Sequence, residues 1–300
     1  MIIITGGNGF VGSVLTPLLR KKYRGEKIFI LDKPRYDLVT GKNLDKIPKN
    51  PRLVIHLAAA TDTAKPDHRT NDLGTINLFQ HLKIGPGTHF IFTSSLAVYS
   101  GRTGCDKAIG PKTSPAVNNR YGATKLKAEK ILVNAAKENG FKLTILRLPT
   151  VWGNNPRKNS FLNFLKNLVK NNSIFARLNW PGKTALINVS DIAKHISEIS
   201  KKSPKNTQII PLAVENMTLA AIFKTLYLQA EKDYGEIKVP KFVWSFARFL
   251  RPFLGYFEPI LPSSFYNYFW RASIVVDSPL WCKVNLKGRK FANANQRRMK

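Results

Sequence analysis

Three glycines that follow a run of isoleucines constrain the fold of this chain more than any other feature. Residues 2–4 are all isoleucine, and an unbroken β-branched run is typical of a strand buried on both faces of a parallel sheet. The glycines after it are Gly6, Gly9 and Gly12. Such glycines let the chain turn tightly, approach a pyrophosphate closely and pack the following helix against the strand. We therefore predict a helix over residues 10–22 whose first amides, from Phe10 and Val11 on, face phosphate groups.

A carboxylate ends the next apolar strand, which we predict over residues 27–31. This residue is Asp32, twenty residues past Gly12. A carboxylate at this distance accepts hydrogen bonds from an adenosine ribose and repels a 2′-phosphate, so it favours NAD over NADP. Lys33 and Arg35 come directly after it and could pair with such a phosphate, so NADP stays open as the alternative.

After the second strand, Asp37 and Leu38 follow too soon to leave room for a full third strand. We expect an extension at residues 35–36 in its place, and we count Asp37 and Leu38 among the cofactor-binding residues. The next strand is predicted over residues 53–57, and small alanines follow it where the backbone must pass close to the cofactor. The residues expected to bind there are Leu57, Ala58 and Ala59. We interpret His56 as a packed, hydrogen-bonded residue rather than a catalyst.

A tyrosine and a lysine four residues apart, Tyr121 and Lys125, form a candidate acid/base device. On a helix this spacing puts both side chains on one face, where the ammonium favours the ionised phenol. A phenol has an unperturbed pKa of about 10, and general acid/base catalysis needs a value nearer to working pH. Upstream, a central strand over residues 89–93 ends in Ser94 and Ser95. Ligands bind at this edge of open α/β sheets.

The rest of the chain alternates strands and helices until its character changes after residue 153. The elements we predict are a turn-rich candidate lid at residues 100–120, helices at 71–82, 121–139 and 160–168, a sixth strand at 142–146 with a loop at 147–153, an irregular stretch at 172–183, a strand at 185–189, a helix capped by Ser190 and Asp191 that runs to residue 201, and a last strand at 208–212.

This order of elements predicts an α/β fold, a doubly wound parallel sheet of the Rossmann type, with a smaller and mostly helical C-terminal substrate domain. Residues 1–153 with about 185–213 are assigned to the dinucleotide-binding domain. Residues of about 154–184 with 214–300 are assigned to the substrate domain.

The formal net charge of +30 draws the chain toward polyanions. The lysines are scattered along the whole chain and no nucleic-acid-binding motif is present, so we expect no specific nucleic-acid partner. An anionic small-molecule substrate, or peripheral contact with an anionic membrane, accounts for the charge better. The predicted helix at residues 71–82 is also expected to serve as a homodimer face.

The cysteines indicate a compartment. Cys105 and Cys282 lie far apart in sequence and give neither a disulfide framework nor a metal-binding spacing, so we expect a reducing cytoplasm and no metal. The first residues lack the basic region and cleavage site of a signal peptide. The long apolar region at residues 242–261 is interrupted by charged residues and prolines, which argues against a spanning helix.

In combination, these motifs resemble the extended short-chain dehydrogenases/reductases, and among them the NAD-dependent epimerase/dehydratase family, over roughly residues 1–213. The resemblance is carried by Thr5, Gly6, Gly9, Gly12, Asp32, His56, Leu57, Ala58, Ala59, Asn71, Gly74, Thr75, Asn77, Leu78, Thr93, Ser94, Ser95, Val98, Tyr99, Tyr121, Lys125, Arg147, Val151, Trp152, Gly153, Val189 and Asp191.

The resemblance implies an NAD(P)-dependent oxidoreductase or epimerase. Its acid/base tyrosine falls on Tyr121, and its ribose-binding, phenol-tuning lysine falls on Lys125. Its catalytic serine falls on Ser95, and further cofactor contacts fall on Pro149 and Val151. In the family mechanism a substrate hydroxyl loses its proton to the tyrosinate while a hydride passes to the nicotinamide.

Two departures from the family narrow the chemistry. The 4,6-dehydratases carry Asp and Glu where this chain has Leu96 and Ala97, so dehydration is not expected. Sugar-nucleotide epimerases usually carry an arginine before a strand that ends in His-Val, whereas residues 184–189 contain neither arginine nor histidine. Basic residues nevertheless lie nearby, and the residues expected to contact the substrate are Ser95, Tyr121, Arg177 and Lys183.

Aromatic residues recur at helical spacing late in the chain, at Phe242, Phe246, Phe249 and Phe253. They either pack into a small-domain core or oligomer face, or form an amphipathic surface that rests on an anionic bilayer. Residues 283–300 carry seven basic residues and no acid, and an anionic surface could recruit such a tail.

The leading hypothesis is an NAD-dependent sugar-nucleotide epimerase or reductase that transfers hydride at a secondary alcohol or ketone, in surface-polysaccharide biosynthesis. One alternative is a membrane-associated dehydrogenase of the 3-beta-hydroxysteroid or isoprenoid type. Another is a non-catalytic dinucleotide-sensing protein, although a sensor would not need the acid/base device.

Overall fold

The computed structural model describes residues 1–61, 67–101, 108–110, 113–156, 160–249 and 291. The strands are β1 (Ile2–Thr5), β2 (Ile28–Leu31), β3 (Leu53–His56), β4 (His89–Ser95), β5 (Lys142–Leu148), β6 (Thr150–Trp152), β7 (Lys183–Asn188), β8 (Gln208–Pro211) and β9 (Glu215–Thr218). The helices are α1 (Gly12–Lys22), α2 (Leu73–Leu82), α3 (Arg120–Asn139), α4 (Phe161–Lys170), α5 (Val189–Ile199), α6 (Leu219–Gln229) and α7 (Lys241–Phe249). Short 3-10 helices span Leu44–Lys46, Leu96–Tyr99 and Ile174–Arg177.

Six strands form a parallel sheet in the order β2-β1-β3-β4-β5-β8. The chain runs outward from β1 to β2 and then returns to the other side of β1 for β3, so the order reverses between β1 and β3. A crevice forms at the carboxyl ends of the strands where the order reverses. The predicted doubly wound parallel sheet is therefore confirmed.

The isoleucine run of β1 explains why helices cover both faces of the sheet. Successive side chains of a strand point to opposite faces. Ile2 and Ile4 pack with Leu15 of α1 and Ile192 of α5, whereas Ile3 packs on the other face, in the cluster to which α2 and α3 contribute. All three isoleucines are fully buried, as a central parallel strand requires.

A second sheet joins β6, β7 and β9 in that order. A separate apolar cluster lies beside it and includes Leu165 of α4, Leu186 of β7 and Phe223 of α6. The division of the chain into a dinucleotide-binding and a substrate domain remains a prediction. None of the helices in the described ranges combines the length and apolar character needed to cross a bilayer.

Three sequence predictions about secondary structure were wrong, and one strand was not predicted. Residues 35–36 form no strand, so β5 is the fifth strand of the chain and not the sixth. Residues 147–148 extend β5 and residues 150–152 form β6, where a loop was predicted. The side chain of Asn188, not that of Ser190 or Asp191, caps α5 by accepting from the Ser190 amide. Strand β9 was not foreseen.

Three of the late phenylalanines do not pack into a core. Phe242, Phe246 and Phe249 are exposed in α7, so the core interpretation was wrong for these three side chains. Phe253, both cysteines, residues 102–107 and 111–112 of the predicted lid, and all of the basic tail except residue 291 lie outside the described residues.

Candidate active site

The loop after β1 packs so closely against the neighbouring backbone that Gly6 and Gly12 have no room for a side chain. Gly6 has φ of +69°, and a Cβ added there would lie 2.7 Å from the Ala58 amide nitrogen. A Cβ on Gly12 would collide with the carbonyl oxygen of Gly6. No side chain caps the N-terminus of α1, so its first amides can bind an anion such as a pyrophosphate. The predicted contact residues Phe10 and Val11 lie at this turn.

Asp32 binds the glycine loop directly. Its carboxylate oxygens accept hydrogen bonds from the amides of Gly6 at 2.5 Å and Asn8 at 2.7 Å. Carboxylate oxygens can accept more than one bond each, so the same group can also receive ribose hydroxyls. Lys33, the nearest basic residue, forms a salt bridge with Asp37 at 3.1 Å.

The two other cofactor contacts predicted near Asp32 are Asp37, which is half-buried, and Leu38, which is buried. Asp37 accepts a hydrogen bond from the amide of Val39 at 2.9 Å. Leu38 is 5% exposed and packs into the apolar core. Its carbonyl oxygen accepts a hydrogen bond from Asn77 of α2.

The loop after β3 lies against the loop after β1. Leu57 donates its amide to the Thr5 carbonyl oxygen, and Ala58 donates its amide to the Thr5 hydroxyl at 3.1 Å. That hydroxyl lies 2.6 Å from Nδ1 of His56, whose Nε2 lies 2.9 Å from the Thr75 hydroxyl. Burial, together with the positive charge of Lys125, lowers the pKa of His56 to about 3. His56 is therefore a packed, neutral residue, as predicted.

Tyr121 is positioned by a network that also fixes the loop after β3. Asn71 accepts from the amide of Ala60 at 2.9 Å and donates to its carbonyl oxygen at 3.0 Å. The side-chain nitrogen of Asn71 also donates to the Thr124 hydroxyl at 3.1 Å, and this hydroxyl donates to the Tyr121 carbonyl oxygen. Nδ1 of His68 lies 3.1 Å from the same Ala60 carbonyl oxygen. The His68 ring lies against the Tyr121 ring, with centroids 5.7 Å apart.

The end of β4 meets the first turn of α3. Ser95 is the last residue of β4, and its hydroxyl accepts from the amide of Ala97 in the next 3-10 helix. A Cβ on Gly122 would collide with the Ala97 carbonyl oxygen, so α3 begins in close contact with that 3-10 helix. Lys125 is 1% exposed and donates to the Thr93 carbonyl oxygen at 2.9 Å. Its ammonium also lies 4.8 Å from the centre of the Phe92 ring.

A buried ion pair connects α3 to β5. The guanidinium of Arg147 bonds the two carboxylate oxygens of Glu129 at 3.0 and 2.6 Å, and both side chains are less than 8% exposed. Arg147 also donates to the hydroxyl of Tyr99, the last residue of the 3-10 helix after Ser95. This arrangement holds the helix of Tyr121 and Lys125 against the strand end that carries Ser95.

The segment after β5 lies at the same edge. Pro149 and Val151 are half-buried. A Cβ on Gly153 would lie 3.5 Å from the Phe10 ring, so this segment approaches the loop after β1. The loops after β1, β3 and β5 therefore lie close together, and Asp32 after β2 bonds the first of them.

The other two predicted substrate residues, Arg177 and Lys183, belong to elements later in the chain. Arg177 ends a 3-10 helix, and its side chain packs against Gly235. Lys183 is exposed at the start of β7. Among the described residues, no cluster of three His, Cys, Asp or Glu side chains could hold a metal ion.

Sequence reasoning missed His68 and the clamping role of Glu129. No spacing or composition signal marks His68, because its contact with Tyr121 arises only when two separate segments meet. Glu129 lies at i+4 from Lys125 and i+8 from Tyr121, and this helical spacing could have indicated that it shares their face.

Comparison with known proteins agrees with this geometry. The model of the family described as NAD dependent epimerase/dehydratase matches residues 2–213. GDP-6-deoxy-D-mannose reductase of Pseudomonas aeruginosa is 32% identical over 154 residues, which cover 49% of this chain and 50% of that protein. UDP-glucose 4-epimerase of Vibrio cholerae is 23% identical over 270 residues, which cover 83% of this chain and 80% of that protein.

The fold is also that of solved members. The crystal structure of Thermus thermophilus UDP-glucose 4-epimerase in complex with NAD superposes with a TM-score of 0.64. It is 18% identical in sequence, and the match covers 80% of this chain and 85% of that one. Since the family model spans more than half of the sequence, this chain belongs to the NAD-dependent epimerase/dehydratase family.

Proposed function

We propose that this protein is an NAD-dependent sugar-nucleotide epimerase or reductase that transfers hydride at a secondary alcohol or ketone. One observation carries the proposal. The glycine loop, the end of β4 with Ser95 and the first turn of α3 with Tyr121 all lie at the carboxyl edge of the sheet, where the strand order reverses. Dinucleotides bind in such a crevice.

The proposed chemistry divides between cofactor and protein. The nicotinamide, when bound, accepts or returns a hydride. The phenol oxygen of Tyr121 takes the proton from the substrate hydroxyl, or returns it, while the Ser95 hydroxyl donates a hydrogen bond to the same substrate oxygen. Lys125, fixed by the Thr93 carbonyl oxygen, keeps a positive charge below the crevice. This charge favours the ionised phenol.

The positions next to Ser95 argue against water elimination. Leu96 is 2% exposed and packs in the apolar core, and Ala97 bonds back to Ser95 through its amide. Neither can act as an acid or a base, so epimerisation or simple oxidation and reduction remain.

NAD is the proposed cofactor. Asp32 holds its carboxylate at the glycine loop, where it can receive ribose hydroxyls and repel a 2′-phosphate. The salt bridge between Lys33 and Asp37 engages the nearest cation that could bind such a phosphate. Arg35, whose guanidinium stacks 5.4 Å from the Tyr36 ring, keeps NADP as the second choice.

We further propose a cytoplasmic homodimer in peripheral contact with an anionic membrane, serving surface-polysaccharide biosynthesis. Sugar nucleotides are the activated units of such polymers. They carry a diphosphate, which suits a chain with a net charge of +30. Arg177 and Lys183 are proposed to contact this anion, together with Ser95 and Tyr121.

A second candidate function is a membrane-associated dehydrogenase with an apolar alcohol as substrate. The exposed phenylalanines of α7 favour it, because such a substrate would be taken up from a lipid surface.

The experiment is direct. The purified protein is incubated with NAD(H) and a panel of UDP-, GDP- and dTDP-sugars, with absorbance at 340 nm reporting redox turnover and NMR reporting epimers. Tyr121→Phe should bind NAD almost normally while turnover falls by about a thousandfold or more. Full activity in Tyr121→Phe would contradict the assigned proton donor. Turnover of sterols or isoprenols alone would favour the second candidate.

A further inference from the structure

Helix α7 carries apolar side chains on two opposite faces. Phe242, Phe246 and Phe249 are spaced i, i+4 and i+7, so they share one face, and they are 73%, 60% and 71% exposed. Trp244 points the other way and packs on Trp180, with ring centroids 4.8 Å apart. A helix at a protein surface usually turns its apolar side inward. In α7 the tryptophan already makes the inward contact.

Hydrogen bonds to Trp244 and Val239 determine which face of α7 is exposed. The indole nitrogen of Trp244 donates to the side-chain oxygen of Asn179 at 3.2 Å. Asn179 in turn bonds both the amide and the carbonyl oxygen of Val239, just before the helix, at 3.0 and 3.1 Å. Rotation of α7 to bury its phenylalanines would break these bonds.

A second exposed apolar segment lies beside α7. Trp180, the partner of Trp244, donates its indole nitrogen to the Phe175 carbonyl oxygen at 2.7 Å. Ile174 and Phe175 are 59% and 46% exposed. Because Trp180 packs on Trp244, this segment adjoins the opposite side of α7, and we call only Phe242, Phe246 and Phe249 the aromatic face. Exposed apolar clusters of this kind mark interaction sites.

Exposed charge at the start of α7, and the composition of the sequence that follows, point to an anionic partner. Lys238 and Lys241 are exposed beside the first phenylalanine. From Lys238 to the end of the sequence there are twelve basic and two acidic residues, and fourteen of the sixty-three residues are aromatic. Basic and aromatic residues together are the composition that binds an anionic lipid interface.

We propose that the aromatic face docks on an anionic bilayer, with its phenylalanines among the acyl chains and Lys238 and Lys241 at the lipid phosphates. A second copy of the chain is disfavoured as occupant because it would bring two strongly basic regions together. The inference names the surface for the proposed membrane contact and does not depend on the proposed chemistry.

The test uses the full-length chain and vesicles of phosphatidylcholine with 30% phosphatidylglycerol, in a sedimentation assay. The variant is Phe242→Ser, Phe246→Ser and Phe249→Ser combined. The matched control is Leu18→Ser, Ile209→Ser and Leu228→Ser combined, three exposed apolar residues outside the aromatic face. Circular dichroism and NAD binding check that each variant is folded.

The wild type and the control should bind these vesicles, and the α7 variant should lose at least tenfold in partition coefficient. Vesicles of pure phosphatidylcholine should bind the wild type at least tenfold more weakly. Equal vesicle binding by the α7 variant would overturn the proposal. So would a loss of dimerisation in that variant without a loss of vesicle binding, since the face would then join two copies. Sugar-nucleotide turnover measured on the same samples tests the proposed chemistry separately.

Discussion

The imidazole of His68 packs against the phenol of Tyr121, with 5.7 Å between ring centroids and 57° between the ring planes. His68 is itself held by the Ala60 carbonyl oxygen, which Asn71 also binds. The proposed proton donor is therefore supported from its ring side by His68 and from its backbone side by Thr124.

We predict that His68→Ala lowers kcat about tenfold while the Kd for NAD changes less than twofold, because small displacements of a reacting group are costly. His68→Phe retains an aromatic ring against Tyr121 and should recover most of the activity. Steady-state kinetics and NAD titration measure both effects. Wild-type kcat in His68→Ala would show that the ring contact does not position Tyr121.

We predict that Lys125 contributes both to NAD binding and to ionisation of the Tyr121 phenol. Lys125→Ala removes the ammonium that binds the Thr93 carbonyl oxygen, so NAD affinity should fall about tenfold and kcat at least a hundredfold. Calorimetric titration with NAD and single-turnover kinetics separate the two losses. Lys127→Ala, on the exposed side of α3, is the control and should change neither. A normal NAD affinity in Lys125→Ala would remove this residue from the ribose site.

We predict that removal of one member of the buried Arg147–Glu129 pair lowers stability more than removal of both. Arg147→Met leaves the Glu129 carboxylate buried without its partner and should cost about 3–5 kcal/mol of unfolding free energy. The double variant Arg147→Met with Glu129→Leu removes both charges and should recover most of that loss. Urea denaturation of the two single variants and the double variant completes the cycle. Additive losses would mean that the two side chains act independently.

Acid should destabilise the protein through its buried histidines. Burial lowers the pKa of His56 to about 3 and of His89 to about 4, and it also lowers the pKa of His195. An unfolded histidine takes up a proton below about pH 6.5, whereas the folded ones do not until lower pH. Stability is therefore lost as pH falls from about 6.5, by roughly 2 kcal/mol at pH 5 for each of His56 and His89.

His195 offers the variant that tests this pH dependence. Both of its ring nitrogens are buried without a partner among the described residues. His195→Leu should raise Tm by several degrees at pH 7, and by more at pH 5, because it removes two unpaired polar atoms and one protonation site. Thermal melts from pH 4.5 to 7.5 measure this, with His81→Gln at a half-buried position as the control. A Tm gain that does not grow toward low pH would contradict the prediction.

Sequence patterns predicted the local structure correctly where a single physical requirement determined it. The buried isoleucines of β1, the glycines after it and the αL glycine that ends α3, Gly140 with φ of +70°, each admit few alternatives. By contrast, β6 and β9 are short strands of three and four residues that are half-buried. Their strand conformation comes from pairing with β7, which local composition does not encode.

The candidate site likewise has features that could be predicted from the sequence and features that could not. The placement of Ser95, Tyr121 and Lys125 at one edge of the sheet was predictable from motif order, since the carboxyl ends of parallel strands share an edge. The contact of His68 with Tyr121 was not predictable, because it depends on how the segment after β3 returns toward α3.

The two hydrogen bonds that Asp32 receives from the turn after β1 have an evolutionary consequence. One carboxylate both holds that turn and, in our proposal, receives the hydroxyls of the adenosine ribose. A change of preference toward NADP by substitution of Asp32 would also remove the hydrogen-bond acceptor of the Gly6 and Asn8 amides, because one side chain serves both purposes. Redesign of coenzyme preference here must first supply the Gly6 and Asn8 amides with another acceptor.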